Sequence, residues 1–319
     1  MRHAGELAVQ RRAGVRAGAW GSAAARPEIP AAAAAFLTRQ RMLLIGAGGR
    51  DGRLWASALT GAVGFAEAVD ERTIVIDAVP GEHDPLAGLT GGEIGILAIE
   101  PQTRRRMRVN GTVRRDGGRL TVRTEQTYAN CPKYIQRRDI SDEPAAGSPA
   151  TASATGTLTA GHRAWIESAD TFFVATRAPD LGADLSHRGG NPGFVRVTGG
   201  GRLVWPDYAG NSMYMTLGNL ELDESCGLLF LGWESGEALH LTGRARVGWD
   251  PGDVPGAQRL VEFEVDQAVH VRGASPLRWT FDGYSRFNPP VHPAHAEAPA
   301  GAAAHATEPG RKGREGEQR

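Results

Sequence analysis

Residues 182–220 gather the side chains of this chain best suited to holding an anionic ligand. Ser186, His187, Arg188, Gly189, Gly190 and Asn191 form one group, and Tyr208, Asn211 and Ser212 form another, beside Asp207 and Gly210. An arginine offers a fixed fork of charged donors, and hydroxyl and amide groups add neutral hydrogen bonds. Glycines admit backbone N–H groups where a Cβ would otherwise stand. The apolar-periodic run 213–220 reads as a short helix beginning beside the second group, and a helix N-terminus favours negative charge. Together these residue types describe a seat for a phosphate.

The two groups have to be brought together by the elements around them. Two strands closed by the glycine turn at 198–201 would return the ends of this stretch side by side as an antiparallel pair. Upstream, apolar runs at 42–47, 54–59, 72–79 and 93–99 read as strands, the last as a central one. Residues 103–114 and 119–125 read as a hairpin turning at Asp116, Gly117 and Gly118, and residues 84–89 as a short helix. Pro27 and Pro30 open a helix over 31–41.

The stretch 142–159, rich in Ala, Ser, Thr, Pro and Gly, reads as a linker or exposed loop. The pattern then restarts, with a helix over 161–169, a strand over 171–176, and strands over 228–233, 238–249 and 259–270. The expected organisation is an N-terminal extension (1–26) in which residues 5–12 can form a short helix, and a first unit over 27–140. A linker (141–160), a second unit (161–287) and a disordered tail (288–319) follow.

Composition narrows the function classes. The 319 residues carry 36 basic and 36 acidic side chains, which argues against a general nucleic-acid binder. Glycine, at 43 residues, with short strand-like runs points to a β-rich chain with many turns. Two cysteines, Cys131 and Cys226, are too few for a disulfide framework or a multi-cysteine zinc site and suit a reducing compartment. No stretch has the apolar length to span a bilayer, and the first 20 residues lack the uninterrupted apolar core of a secretory signal. A cytoplasmic protein with neither a membrane nor a nucleic acid as partner is expected.

The restart is a repeat. RMLLIGA at 41–47 falls on DTFFVAT at 170–176, 129 positions later, and the same offset lays SALTGAVGF (57–65) over SHRGGNPGF (186–194). At an offset of 132, GILAI (95–99) falls on GLLFL (227–231) and MRVNGTV (107–113) on LHLTGRA (239–245). A tandem duplication accounts for this with few insertions. Where the second copy has His187, Arg188, Asn191 and Pro192, the first has Ala58, Leu59, Ala62 and Val63. One anion site per chain follows, dominated by the second copy, with the first copy as its packing partner.

These motifs, SHRGGNPGF, WPDYAGNSMYMTLGNL, GLLFL and LHLTGRARV, with RMLLIG, DGRLWASALTG, RRRMRVNG and NCPKYIQRR in the first half, resemble the pyridoxamine 5′-phosphate oxidase-like flavin-nucleotide-binding proteins over residues 1–280. The resemblance implies a mainly β fold with short helices: two tandem FMN-binding split β-barrels, antiparallel and Greek-key, in one chain. It makes the chain a pseudo-dimer in itself, able to dimerise further. By the same resemblance, residues 186–191 line the flavin ring and ribityl chain, Arg188 contacts the phosphate or ring edge, and Asn211 and Ser212 stand at the phosphate. The oxidases carry a basic residue at that place, and Met213 stands near the expected cation, which leaves the substrate open.

The implied cofactor is FMN, with FAD, F420 and haem as alternatives, and the implied activity a flavin-dependent oxidoreductase with an unknown small-molecule substrate or electron-transfer partner. A non-enzymatic flavin or haem carrier is the competing reading, and His187 or His240 would then be the axial ligand. Other candidates have plain readings as well. Asp184 and Asp207 read as loop caps, Trp55 as core, and Cys131 as a loop thiol. Of the arginine run, Arg104, Arg106 and Arg108 share one strand face, which is either solvated or, at Arg106 or Arg108, turned to a ligand between the copies.

Overall fold

The computed structural model describes residues 3–15, 25–141, 149–179 and 181–291. The tail expected from 288 therefore lies outside the described residues beyond 291, as do residues 142–148 of the expected linker.

The continuous apolar runs form strands that are buried on both faces. In β1 (Met42–Gly48), Leu43, Ile45 and Ala47 enter the core of the first half, while Met42 and Leu44 enter a layer between the halves. β10 (Thr171–Ala178) repeats this: Phe172 and Val174 face the core of the second half, and Phe173 and Ala175 face the shared layer. A strand with no solvent face has no reason to alternate apolar with polar, so it reads as one apolar run.

The first half continues with β2 (Leu54–Thr60), β3 (Ala66–Asp70), β4 (Thr73–Ile76), β5 (Gly91–Glu100), β6 (Arg105–Asp116) and β7 (Arg119–Ala129). They form an antiparallel sheet in the order β2-β1-β5-β6-β7-β4-β3, with α2 (Ala31–Thr38) packed beside it. β8 (Arg137–Ile140) and β9 (Thr151–Thr155) lead into α3 (Ala160–Ser168).

After β10 come β11 (Gly182–Gly189), β12 (Arg196–Thr198), β13 (Arg202–Tyr208), α4 (Met215–Leu220), β14 (Ser225–Leu231), β15 (Ala238–Gly248), β16 (Ala257–Arg272) and β17 (Trp279–Gly283). The second sheet runs β11-β10-β14-β15-β16-β13-β12, the same order as the first, with β9 added on β16. β17 pairs with β8, tying the end of the second half to the first. Each sheet curls round its own core: the Phe172 and Trp205 rings, on β10 and β13, meet edge-on at 5.2 Å although three strands separate them in the sheet. The fold is thus mainly β with short helices, in two antiparallel sheets of split-barrel type.

The likeness of the halves reaches single residues. The β6–β7 register shifts between Asn110 and Gly111, and the β15–β16 register between Thr242 and Gly243, 132 positions on. Where the halves meet, a Cβ on Gly95 would lie 2.5 Å from the Asp184 backbone, and one on its counterpart Gly227 would lie 2.8 Å from Trp55 and Leu54. Gly46 faces Ala175, its own counterpart, as residues beside a two-fold axis do.

Several sequence-based expectations change. β11 does not pair with the β12–β13 hairpin; it lies at the opposite end of the sheet, and curvature rather than a turn brings the two ligand groups together. Residues 84–89 form turns rather than a helix, because Asp84 caps the turn by accepting from Leu86 N at 2.7 Å. β3 was not anticipated, since its pattern of Ala, Glu and Asp is that of an exposed edge. Residues 151–155 of the expected linker form an exposed edge strand, whose backbone bonds need no apolar side chains. Among the described residues no helix is long and apolar enough to cross a membrane.

Gly95→Val is expected to destabilise the protein by about 1–3 kcal/mol or more, since overpacking at a backbone contact has no side chain that can yield. Gly118→Ala, in open space in the β6–β7 turn, should change little. Urea denaturation of the two variants separates these outcomes.

Candidate functional site

A cleft of about 120 Å³ opens between the halves, lined by β6 and the 130–134 loop from the first and by β11, the end of β13 and the 210–217 segment from the second. It contains Ser186, His187, Arg188, Gly189, Tyr208, Asn211 and Ser212 of the residues expected from sequence. Gly190 and Asn191 stand outside it. Gly190 O accepts from Gln136 Nε2 at 3.1 Å, and Asn191 bonds Pro289 and Asn288. Gly189 leaves room for the first half, since a Cβ there would meet Tyr134 O at 2.0 Å.

The arginine run divides where the strand begins. Arg106 and Arg108 enter the cleft, whereas Arg104, in the left-handed region just before β6, bonds the carbonyls of Ile135 and Tyr284. Arg108 pairs with Asp184 and donates to Leu185 O at 2.8 Å. Asp184, 1 % exposed, also accepts from Tyr128 Oη at 3.0 Å and Asn110 Nδ2 at 3.2 Å. It is thus no loop cap but the point at which the second half is tied to β6 and β7. Burial alone would lower the Arg108 guanidinium, but Asp184, Tyr128 and Glu6 together outweigh it and hold it above its ordinary value.

Arg106 and Arg188 differ from Arg108 in having no carboxylate in an ion pair among the described residues. Arg106 donates to His187 Nδ1 at 2.7 Å, and Arg188 donates to Ser186 Oγ at 2.5 Å and to His187 O at 3.1 Å. The Nε atoms of both arginines are buried without a partner. Burial, then the charges of Arg108 and Arg188, pushes the Arg106 guanidinium down, and burial likewise lowers Arg188. The site holds more positive charge than its own acids neutralise.

His187 sits between the two arginines, 5 % exposed. A guanidinium only donates, so Nδ1 accepts and the ring proton lies on Nε2, which is buried and unpartnered. Burial, then Arg106 and Arg188, holds its pKa well below the usual histidine value, so the ring is a neutral donor at physiological pH. Two guanidinium N–H groups and one imidazole N–H are therefore left for a ligand.

The far wall is set by the 209–214 segment. Ser212 and Tyr214 both take left-handed backbone, and Tyr214 lies over the Arg259 guanidinium at 4.7 Å. α4 has six residues, so side chains rather than a long helix supply the site's charge. Tyr134 Oη donates to Ala209 O at 2.9 Å, and the Tyr134 and Tyr208 rings lie 5.3 Å apart.

The N-terminal helix α1 (Ala4–Arg12) supports this wall, a role no sequence signal announced. Gln10 Nε2 donates to Ser212 O at 3.1 Å and to Met213 O at 3.2 Å, and His3 Nε2 donates to Asn219 Oδ1 at 2.9 Å. A Cβ on Gly5 would fall 2.0 Å from Gly218 O, so the helices touch backbone to backbone.

No protein-family model matches the chain, and no curated protein matches it. Among solved structures, HupZ of Group A Streptococcus is 11 % identical, covering 40 % of this chain and 98 % of its own, with a TM-score of 0.29. A putative pyridoxamine 5′-phosphate oxidase from Lactobacillus delbrueckii is 15 % identical over 36 % of this chain and 94 % of its own, with a TM-score of 0.30. An FAD-binding protein from Mycobacterium smegmatis is 12 % identical over 38 % and 98 %, with a TM-score of 0.25. Likenesses this distant carry no argument about function.

Two outcomes check the site. A depressed histidine pKa means that the unfolded chain binds the proton more tightly. Its contribution is whole above about pH 6.5 and is lost as the pH falls below that value. His187→Gln, which still accepts from Arg106, should therefore show a shallower loss of Tm between pH 6.5 and 5 than the wild type. Gln10→Ala should cost about 1 kcal/mol of stability, as loss of hydrogen bonds to backbone carbonyls does, read by urea denaturation.

Proposed function

We propose that the cleft holds the phosphate of a flavin nucleotide, FMN in the first place, and that the chain is a flavin-dependent oxidoreductase of unknown substrate. The observation carrying this reading is a pair of arginines, Arg106 from one half and Arg188 from the other, with buried Nε–H groups that have no acceptor among the described residues. A phosphate monoester carries the charge and acceptor oxygens to satisfy both. Ser186, bonded by Arg188 and Thr216, orients one guanidinium, and Arg106 orients the His187 ring. Ser212 and Asn211 stand on the opposite side.

The donor set fits the phosphate end of the cofactor. The enclosed volume, about 120 Å³, suits that end and not a whole flavin, whose binding sites span roughly 300–1,000 Å³. The reading requires the 209–214 wall to yield or the ring to lie in the open part of the cleft. When bound, the flavin would supply the hydride or electron chemistry. Arg106, Arg188 and His187 would hold the nucleotide, His187 giving a neutral N–H, and Tyr134 with Tyr208 would limit water at the rim.

The haem reading is less well supported. Axial ligation needs a free imidazole lone pair, and Arg106 directs the His187 proton onto Nε2. His240 donates from Nδ1 to Ala56 O at 2.9 Å, which frees Nε2, but it is 1 % exposed and lies outside the cleft.

We also read the chain as a tandem duplication whose halves form a pseudo-dimer. It is supported by the shared strand order and by the bulges 132 residues apart.

FMN titration followed by flavin fluorescence tests the proposal. Wild type should bind, and Arg188→Ala and Arg106→Ala should each weaken binding about 10- to 100-fold, the loss expected of a charge-assisted hydrogen bond. No binding by the wild type, or unchanged binding by both variants, would overturn the assignment.

A further inference from the structure

The helix α1 precedes the first half in sequence and packs on the second, with Gly5 against Gly218 of α4. Its Val9 side chain is fully buried in the second core, in the cluster of Leu217 and Leu220. Leu7, its one other apolar residue larger than alanine, is 37 % exposed, and its remaining buried side chains, Glu6 and Gln10, are polar. A helix of nine residues is not stable by itself and depends on the face it buries. That face amounts to one valine, a glycine contact and a set of polar bonds, the make-up of an element that opens before the rest of the fold.

Those polar bonds fall on the far wall of the cleft. Gln10 Nε2 holds the Ser212 and Met213 carbonyls, while Gln10 Oε1 is buried without a partner among the described residues. The wall itself is in a costly conformation, since Ser212 and Tyr214, neither of them glycine, sit at φ 59° and 58°. Left-handed backbone at such residues persists where surrounding contacts impose it. A second tie leaves the other end of α1. Arg12 lies over the Trp249 ring at 4.3 Å, and the Arg259 guanidinium lies 5.3 Å from that ring and 4.7 Å from the Tyr214 ring. One tie acts on Ser212 and Met213, the other on Tyr214. With α1 docked, the cleft bounded by this wall encloses only about 120 Å³.

We propose that α1 is a detachable strap that sets the width of the cleft. Docked, it holds residues 209–214 in their left-handed turn and the cleft at phosphate size. Released, it leaves Ser212 and Tyr214 free to return to ordinary backbone, and the wall moves back to admit the remainder of a nucleotide. A ligand that needs the open cleft then binds with an affinity reduced by the fraction of molecules in which α1 is away. The identity of that ligand rests on the flavin reading, whereas the opening of the wall does not.

The two cysteines read the opening without flavin. Cys131 lines the cleft and is half-buried, whereas Cys226 is buried in the second core. Fluorescein maleimide is applied to the full chain and labelling at each cysteine is followed by mass spectrometry. Gly5→Leu, whose side chain cannot share the space of Gly218 O, and Val9→Ser, which weakens the apolar anchor, should each label Cys131 at least about tenfold faster than the wild type, with Cys226 still protected. Both variants should also bind FMN more tightly, by about the same factor. Unchanged labelling of Cys131 would overturn the strap, and so would labelling of Cys226 in step with Cys131, which would make α1 part of the core. Faster labelling of Cys131 without FMN binding would uphold the strap and sink the flavin reading. Equal FMN binding by wild type and variants, with Cys131 labelling unchanged, would do the reverse.

Discussion

The two halves are held at backbone distance by glycine, and much else depends on that contact. Gly95 lies against the Asp184 backbone and Gly227 against Trp55, so β5 and β14 each approach a strand of the other half with no side chain between. At that spacing Phe173, Leu185, Leu44 and Leu97 fill one continuous layer. The same approach brings Asp184 within reach of Arg108, Asn110 and Tyr128. A buried carboxylate with three partners is tolerable, whereas one robbed of its arginine is costly. Apolar layer and polar tie therefore require the same geometry.

The two halves share a strand order, but the side chains at matched positions differ. Arg106 and Arg108 correspond to Ala238 and His240, and His187 and Arg188 to Ala58 and Leu59. At the counterpart position Ser57 bonds Asp84, and His240 is sealed against Ala56 O. The surplus positive charge is confined to the other side. It is contributed by both halves, so neither alone assembles the donor set of Arg106, Arg188 and His187.

The cleft and a neighbouring cavity differ in chemistry. The first has charge and little enclosed volume; the second has more volume and a mostly apolar lining. Phe194, Pro206 and Tyr208 separate them, and Tyr208, pushed up to about 12 by burial and then by Tyr134, stays a neutral phenol between the two. The α1 helix and the segment after β17 act as outer braces, reached from opposite ends of the chain.

Sequence by itself determined the strand content, the internal likeness of the two halves and most of the residue types that line the cleft between them. Runs such as 42–47 and 172–175 are apolar throughout because both their faces are buried, and the offsets of 129 and 132 survive as matched strands and bulges. His187 and Arg188 stood out as polar residues where the matched positions hold Ala58 and Leu59. What pairs with what was decided only in three dimensions. β11 and β13 meet through sheet curvature, which no local pattern encodes, and Arg106 reaches His187 across 81 positions of sequence. The roles of Gln10 and Asn191 were equally hidden, since a single amide side chain bears no mark of the distant carbonyl it will meet. Local propensity and periodicity act over a few residues, while the charge balance of the cleft is a sum over segments joined only by the packing of the two halves.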